Sequence, residues 1–464
     1  MKIQLAGMNI DTKFINDRAA KIITPETISA AYARISRSKK SVTKLRKIAL
    51  KEVDKARKSN RNIIYEMGHS SIAEHAVFNF DIIGVSRYLT EFIQKRKLSS
   101  FTEKSQRYVT LKGDYVLPQE IADSTLKDKF EDMIKSQNEL YFEIYKELRK
   151  YLQDSDFSDN KRQLKNKAKE DARYVLALAT ETQMGMTINA RNLERLLQRL
   201  DRINLSEATE LRENLRDATI KYVPSLLKYT KAEKFCKNIT SGIPAIEPDH
   251  APASFELLDY TPDGDDRILS FLITEKDPVS YRQASNWVKE LSSEKKEKIY
   301  ENIFSKLTCH SSLPRAFETI DLTFSFNVSS SCFAQLKRHR MSTILKSNYS
   351  PQNGFVIPPL IKEINYEDKV SELMQKIEDL YFELEQVKKR LGNYILTNSH
   401  RIPVIFKTNL RELYHFSRLR SDSHAQWEIR NLSHQIDKEV KKIYPFAAKY
   451  LMGKDQFREK QQND

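Results

Sequence analysis

Glu139-Leu140-Tyr141-Phe142-Glu143-Ile144 returns about 240 residues later as Asp379-Leu380-Tyr381-Phe382-Glu383-Leu384. His69-Ser70-Ser71 returns at a similar distance as His310-Ser311-Ser312, and Asn189-Ala190-Arg191 returns about 220 residues on as Asn409-Leu410-Arg411. Three echoes in one order indicate a duplicated domain rather than a solenoid of short units. The polar stretch from Asp154 to Ala168 has no counterpart and accounts for most of the difference in spacing. The expected copies span 1–237 and 253–454, joined by the Pro-, Ser- and Gly-containing segment 238–252.

A chain of 464 residues is long enough for two such domains with substantial cores. Apolar residues make up 40% and charged residues 30%, an ordinary globular mix. No apolar run is long enough for a membrane span, and no secretory h-region opens the chain. Three cysteines cannot form a disulfide framework and suit a reducing cytoplasm. Cys309-His310 lacks further ligands at metal spacing, so no metal is expected. The net charge of +15 fits either a lysine-rich solvated surface or anionic ligands. The basic residues are interspersed with Glu and Asp, and no arginine-rich arm, RNP motif or zinc finger appears, so nucleic acid is not the expected partner. Only ten glycines occur, and none forms G-x-G or a Walker A loop. Any phosphate must be held by side-chain cations and helix starts.

Helical periodicity runs from Pro25 to Met67, with Thr24 as N-cap and a break at Arg37-Ser38-Lys39-Lys40. His75 to Ile82 alternates as a strand, and Tyr88 to Ile93 reads as a short helix. Lys95 to Tyr108 reads as a loop and Leu126 to Leu152 as a long amphipathic helix. Ala172 to Met184 and Ala190 to Leu200 read as two more helices joined by Gly185-Met186-Thr187-Ile188. Copy two opens with the strand Phe255 to Tyr260 and the turn Thr261-Pro262-Asp263-Gly264, and ends in a helix from Leu410. Strands mixed with long helices, without βαβ alternation, predict an α+β fold in two tandem copies, each an antiparallel sheet with long helices.

Two clusters carry chemistry. Gln335-Leu336-Lys337-Arg338-His339-Arg340 sets two guanidinium forks beside an imidazole, a pattern suited to phosphate and pyrimidine oxygens. In isolation such a run is more often a basic surface turn. Glu103-Lys104-Ser105-Gln106-Arg107-Tyr108 offers a hydroxyl and a guanidinium to a phosphate, and Glu103 as an acceptor for a ribose or flavin group. Its bland alternative is a polar loop.

Taken together, these residues resemble the flavin-dependent thymidylate synthases. That family carries H-x-S/T-x-x-E-H, an F-x-F strand, R-H-R-x-x-S, S-x-R-Y, an N-x-R helix and D-S-H-A-Q-W-E-I. Copy one matches at His69-Ser70-Ser71-Ile72-Ala73-Glu74-His75, Phe78-Asn79-Phe80, Gly84-Val85-Ser86-Arg87 and Ser105-Gln106-Arg107-Tyr108. Copy two matches at Gln335, Arg338-His339-Arg340, Asn409-Leu410-Arg411 and Ser421 through Ile429. The losses are complementary. Copy one has Lys95-Arg96-Lys97 in place of R-H-R, Phe92 for the glutamine, and no S-H-A-Q-W. Copy two has Asn348-Tyr349-Ser350-Pro351 in place of S-x-R-Y, and Asn393 where copy one keeps Arg173.

The resemblance implies a site shared between domains, with the copies specialised. It gives Gln335, Arg338, Glu103, Ser105, Gln106, Arg107 and Arg173 to a dUMP-like nucleotide and Arg420 to catalysis at the pyrimidine edge. Phosphate binding, not nucleophilic attack, is the implied role of Ser105, since no base stands beside it. FAD would be held by His69, Ser71, Glu103, Arg338, His339, Arg340, Asn409, Arg411 and His415, with Asn189, Arg191 and Arg195 as copy-one counterparts. Methylenetetrahydrofolate and NADPH would be co-substrates. A homodimer would rebuild the family's four-domain assembly. A sister activity on the same scaffold, hydroxymethylation or use of dCMP, stays open. So does a non-catalytic nucleotide- or RNA-binding paralogue, although decay would be expected to erase both halves of the site.

Overall fold

The computed structural model describes residues 1–15, 24–95, 97–109, 111–155, 157, 160–239, 242–244, 246 and 255–457. Arg96, much of the expected joint at 238–252 and the end of the charged tail lie outside them. The chain forms two compact units, Met1–Pro248 with Ile357–Asn398, and Asp249–Val356 with Ser399–Asp464. The repeats at 1–237 and 253–454 are the units of descent we propose. In space, the long helix of copy two belongs to the unit built by copy one.

Each unit has one four-stranded antiparallel sheet, and the two sheets share one strand order. The first joins β1 (Lys2–Met8), β2 (Val77–Ser86), β3 (Ser99–Glu103) and β4 (Glu181–Asn189) in the order β1-β2-β4-β3. The second joins β5 (Phe255–Tyr260), β6 (Asp321–Ser329), β7 (Thr343–Lys346) and β8 (Arg401–Asn409) as β5-β6-β8-β7. Period-two patterning decides which face is covered. Phe78, Phe80 and Ile82 of β2 and Met184, Met186 and Ile188 of β4 are buried, with Phe80 opposite Met186. The same place in the second sheet pairs Phe324 with Phe406.

Two expectations from the sequence are corrected. Ala172 to Met184 is not one helix. A helix ends at Ala172, a 3-10 turn covers Arg173–Val175, and β4 begins at Glu181. The run Leu176-Ala177-Leu178-Ala179 favours helix by propensity, but tertiary context overrides it. The run is buried and bonds to segment 394–398: Leu178 N–H donates to Leu396 O at 2.7 Å, and Asn398 N–H to Leu176 O at 3.0 Å. Gly185, expected to join two helices, sits in the middle of β4 opposite Asp81 and Thr102. The loop expected from Lys95 to Tyr108 contains the edge strand β3, whose polar composition hides it.

Within the first unit the duplication is visible as local two-fold symmetry. The helix Lys127–Asp154 of copy one and the helix Glu367–Val387 of copy two are linked by Lys129–Glu383 (2.7 Å) and Lys369–Glu143 (2.6 Å). These four residues are two equivalent pairs under the 240-residue repeat, so each contact is the other's image, as a two-fold relation requires. Ala177 and Thr397, equivalent under the 220-residue offset, form an antiparallel bridge with each other. Exposed ion pairs contribute little energy. Burial of Phe130, Ile134, Tyr141, Ile144 and Leu148 on one stripe of the first helix, and of Val370, Ile377, Leu380 and Leu384 on the second, does more.

Candidate functional site

β3 and the turn after it place the first cluster in the Met1–Pro248 unit. Glu103 ends β3 and is held on both oxygens: Arg87 Nη1 donates to one and Gln94 Nε2 to the other, each at 2.7 Å. Arg87 and Gln94 were not singled out from sequence for this role, although Arg87 belongs to the quoted Gly84-Val85-Ser86-Arg87 motif. Ser105 Oγ accepts from Arg107 N–H at 3.2 Å, which closes the turn. Arg107 pairs with Glu170 at 2.5 Å and lies over the Tyr108 ring. Lys167 meets the other oxygen of Glu170 at 3.2 Å.

Arg173 lies under this loop at 5% exposure. Its Nε donates to Glu170 O at 3.2 Å, while its Nη2 is buried with no hydrogen-bond partner among the described residues. Burial foremost, then the charges of Arg107 and Arg87, pushes its pKa down to about 10, with Tyr174 and Glu170 opposing. It therefore stays charged at neutral pH. Gln106 is buried beside it: its Oε1 accepts from Asn398 Nδ2 at 3.2 Å, and its Nε2 is buried without a partner among the described residues. Two buried donors without acceptors among the described residues thus lie one on this loop and one beneath it, an arrangement that an anionic or carbonyl-bearing ligand would complete.

In the unit containing Asp249–Val356, the second cluster forms at the end of the helix Ser330–Leu336. Ser329 caps that helix, its Oγ accepting from Cys332 N–H, while its own N–H and hydroxyl donate to Glu428. Glu428 belongs to the Ser421–Ile429 motif, and anchoring this cap is its visible task. Arg420 ends the helix Leu410–Arg420 and bridges the motifs. Its Nε donates to His339 Nε2 at 3.0 Å, its Nη1 to Gln335 Oε1 at 3.4 Å and its Nη2 to Gln335 O at 3.1 Å. A guanidinium only donates, so His339 Nε2 must be unprotonated and the ring proton must sit on Nδ1, which faces Glu412 at 3.5 Å. Burial, then Arg420, His415 and Arg338, holds the pKa of His339 well below the ordinary range. The histidine of the R-H-R run is a neutral acceptor that orients Arg420. Arg338 and Arg340 on either side are exposed.

The residues assigned to flavin divide by role. Asn189 and Asn409 are helix N-caps, accepting from Asn192 N–H and Glu412 N–H, each at 2.9 Å. Arg191 pairs with Glu74. Arg411 donates to Leu313 O and Glu318, each at 2.6 Å, and to Ser312 at 2.8 Å. These groups shape the two helix starts. His69, Ser71, Arg195 and His415 are exposed. His424 pairs with Asp422 at 2.9 Å at the surface.

The equivalent of the nucleotide cluster made from the other halves also lies inside the first unit. Asn393 stands 220 residues after Arg173. It is buried and donates to Tyr88 OH at 2.8 Å. Tyr394 OH donates to Glu207 at 2.6 Å, and Glu207 also accepts the N–H and hydroxyl of Ser86, each at 2.7 Å. The Tyr88 and Tyr394 rings meet edge to face at 5.2 Å. Asn393 Oδ1 is buried without a partner among the described residues, but this packed core holds no guanidinium and so does not mirror the surroundings of Arg173.

An α+β duplication with S-x-R-Y in one copy and R-H-R in the other defines a nucleotide-handling class of protein. The model of the thymidylate synthase complementing protein family matches residues 20–225 and 256–446, and the chain belongs to that family as two domains in tandem. A protein described as UPF0159 from Thermoplasma acidophilum is 25% identical over 441 residues, covering 84% of this chain and 87% of its own. A flavin-dependent thymidylate synthase from Clostridium tetani is 31% identical over 212 residues, covering 44% of this chain and 82% of its own. Among solved structures, a UMP/dUMP methylase from Streptomyces cacaoi is 17% identical with a TM-score of 0.35, covering 43% of this chain and 94% of that one.

Proposed function

We propose that this chain is a flavin-dependent thymidylate synthase with one working site per pair of copies. It would methylate dUMP at C5 to dTMP, with FAD as cofactor. The observation that carries this reading is Arg173, a buried guanidinium whose Nη2 has no partner among the described residues. A buried charge is tolerated when a counter-charge arrives with the ligand. The dUMP phosphate supplies that charge. Arg107 and the Ser105 hydroxyl add charge-assisted contacts from the same turn.

Arg420, held by His339 and Gln335, would face the pyrimidine edge, where a cation favours the N3-deprotonated, more nucleophilic uracil. Arg338 would complete the grip on the nucleotide. The exposed Arg338, Arg340 and His415 fit the phosphates of a flavin nucleotide, with the Asn409 and Asn189 caps setting the helix starts. FAD, when bound, would supply hydride, with NADPH and methylenetetrahydrofolate as the co-substrates that would provide reducing power and the carbon. We further propose that two chains pair, rebuilding four domains.

The test is to purify the full chain and follow dTMP formation from dUMP with methylenetetrahydrofolate and NADPH. A yellow protein whose absorbance bleaches on NADPH and that forms dTMP is the expected result. A colourless protein that makes no dTMP and shifts RNA in a gel would overturn the reading in favour of a binding paralogue. Product from dCMP but not dUMP would redirect it to a sister activity.

A further inference from the structure

We infer that Asn398, contributed by copy two, is a positioning residue that sets the hydrogen-bonding polarity of copy one's nucleotide loop. The inference rests on the dUMP reading above. Asn398 is 1% exposed and belongs to neither family motif. Its backbone is fixed by the N–H bond to Leu176 O, next to the Ala177–Thr397 bridge.

The side chain is oriented by a chain of necessity. One end of its amide lies 2.9 Å from the backbone carbonyl of Arg173. A carbonyl only accepts, so that end must be the NH2 group. The same nitrogen lies 3.2 Å from the Gln106 amide, so the Gln106 atom facing it must be Oε1. Gln106 Nε2 is then turned away from Asn398, buried and without a partner among the described residues. One asparagine thereby fixes the carbonyl under Arg173 and makes Gln106 display a donor. Gln106 Nε2 and Arg173 Nη2, both without partners among the described residues, are both donors, matched to acceptor oxygens of a phosphate or a pyrimidine carbonyl. Under the 220-residue offset, copy one has Leu178 at this place, which can do neither. The polar residue therefore stands only on the side that serves the retained Ser105-Gln106-Arg107 loop.

The experiment titrates dUMP into the full chain by calorimetry and measures KM and kcat for wild type, Asn398→Leu, Asn398→Asp, Gln106→Met and the Asn398→Leu/Gln106→Met double variant. An aspartate would reverse the polarity, drawing the Gln106 NH2 inward and presenting its oxygen to the ligand. Each Asn398 variant is expected to bind dUMP about 10- to 100-fold more weakly. KM should rise while kcat stays within about twofold, and flavin content should be unchanged. The double variant should be no worse than the stronger single, because Asn398 acts through Gln106. Wild-type dUMP affinity in both Asn398 variants, or additive losses in the double variant, would overturn the inference. If Asn398→Leu fails to fold, Gln106→Met with wild-type affinity overturns it equally. Failure of the wild-type chain to bind dUMP would instead sink the proposed function.

Discussion

Replacing Arg173 by methionine should stabilise the ligand-free protein while destroying its nucleotide affinity. The side chain is 5% exposed, and burial pushes its pKa from the ordinary arginine range down to about 10. That shift measures a preference against the charged form on the order of 3 kcal/mol. A base with a lowered folded pKa destabilises the fold at every pH below that value, and relief comes only as pH rises from about 10 toward the ordinary arginine range, so at pH 7 the whole penalty stands. Methionine removes it and gives up the Nε bond to Glu170 O, a loss of about 1 kcal/mol. Glu170 keeps Arg107 and Lys167 as counter-charges. The net gain of about 2 kcal/mol corresponds to a Tm rise on the order of 2–5 °C. Differential scanning fluorimetry with and without dUMP reads both effects. Wild type should rise with dUMP, and Arg173→Met should start higher and not respond. A Tm several degrees below wild type would refute the reasoning, because it would make Arg173 a structural support and not a displayed cation.

Arg107→Ala and Arg420→Ala should each lower dTMP formation by at least ~10²–10³-fold, whereas Lys95→Ala should be mild. Normal turnover in Arg107→Ala with a dead Lys95→Ala would reverse the assignment of halves. His339→Gln keeps an acceptor for Arg420 Nε and should retain most activity, while His339→Phe should lose roughly 10–100-fold in kcat. Equal rates in the two variants would remove His339 from the positioning of Arg420. Burial raises the pKa of Glu207, against the lowering effect of its bonds to Tyr394 and Ser86. A carboxyl with a raised folded pKa contributes stability that is greatest below its unfolded value near 4.5 and is lost as pH rises through the folded value. Glu207→Gln should therefore gain relative to wild type between pH 5 and pH 8 in urea midpoints, and a widening deficit at pH 8 would contradict this.

Much of this was legible in the chain, and the failures have physical causes. The duplication, β5, the opening strand and the helices ending in Arg420 and Asp154 followed from echoes and periodicity, because their burial patterns are their own. The Ala177-Leu178-Ala179 segment was misread because its conformation depends on segment 394–398, more than 200 residues away, and not on propensity. Edge strand β3 was hidden by its polar composition, Ser99, Ser100, Thr102 and Glu103 around a single Phe101. Among the site residues, Ser105, Arg107, Arg173, His339 and Arg420 stood out by motif. Asn398 did not, although comparing Thr397-Asn398-Ser399-His400 with Ala177-Leu178-Ala179-Thr180 shows polar residues replacing apolar ones in a buried run. That difference is visible only when one copy is used as the control for the other.

The same comparison bears on why only one site of the pair would work. A homo-oligomer must keep each residue compatible with every symmetric position it occupies. Once the copies are fused, Arg173 and Asn393 are free to diverge. Arg173 remains a buried cation with an unmet donor. Asn393 is neutral; its Nδ2 donates to Tyr88 OH, and although its Oδ1 is buried without a partner among the described residues, it carries no charge to desolvate. The first arrangement buries a formal charge whose counter-charge arrives with the ligand; the second leaves no buried guanidinium to compensate. A chain carrying two such buried cations would bear that cost twice and would sit nearer the threshold for unfolding. A neutral Asn393 packed with Tyr88 and Tyr394 removes that cost at one of the two places. On this argument Asn393→Arg should not revive a second site. It would bury an unpaired guanidinium and lower the midpoint of unfolding, in the direction opposite to Arg173→Met.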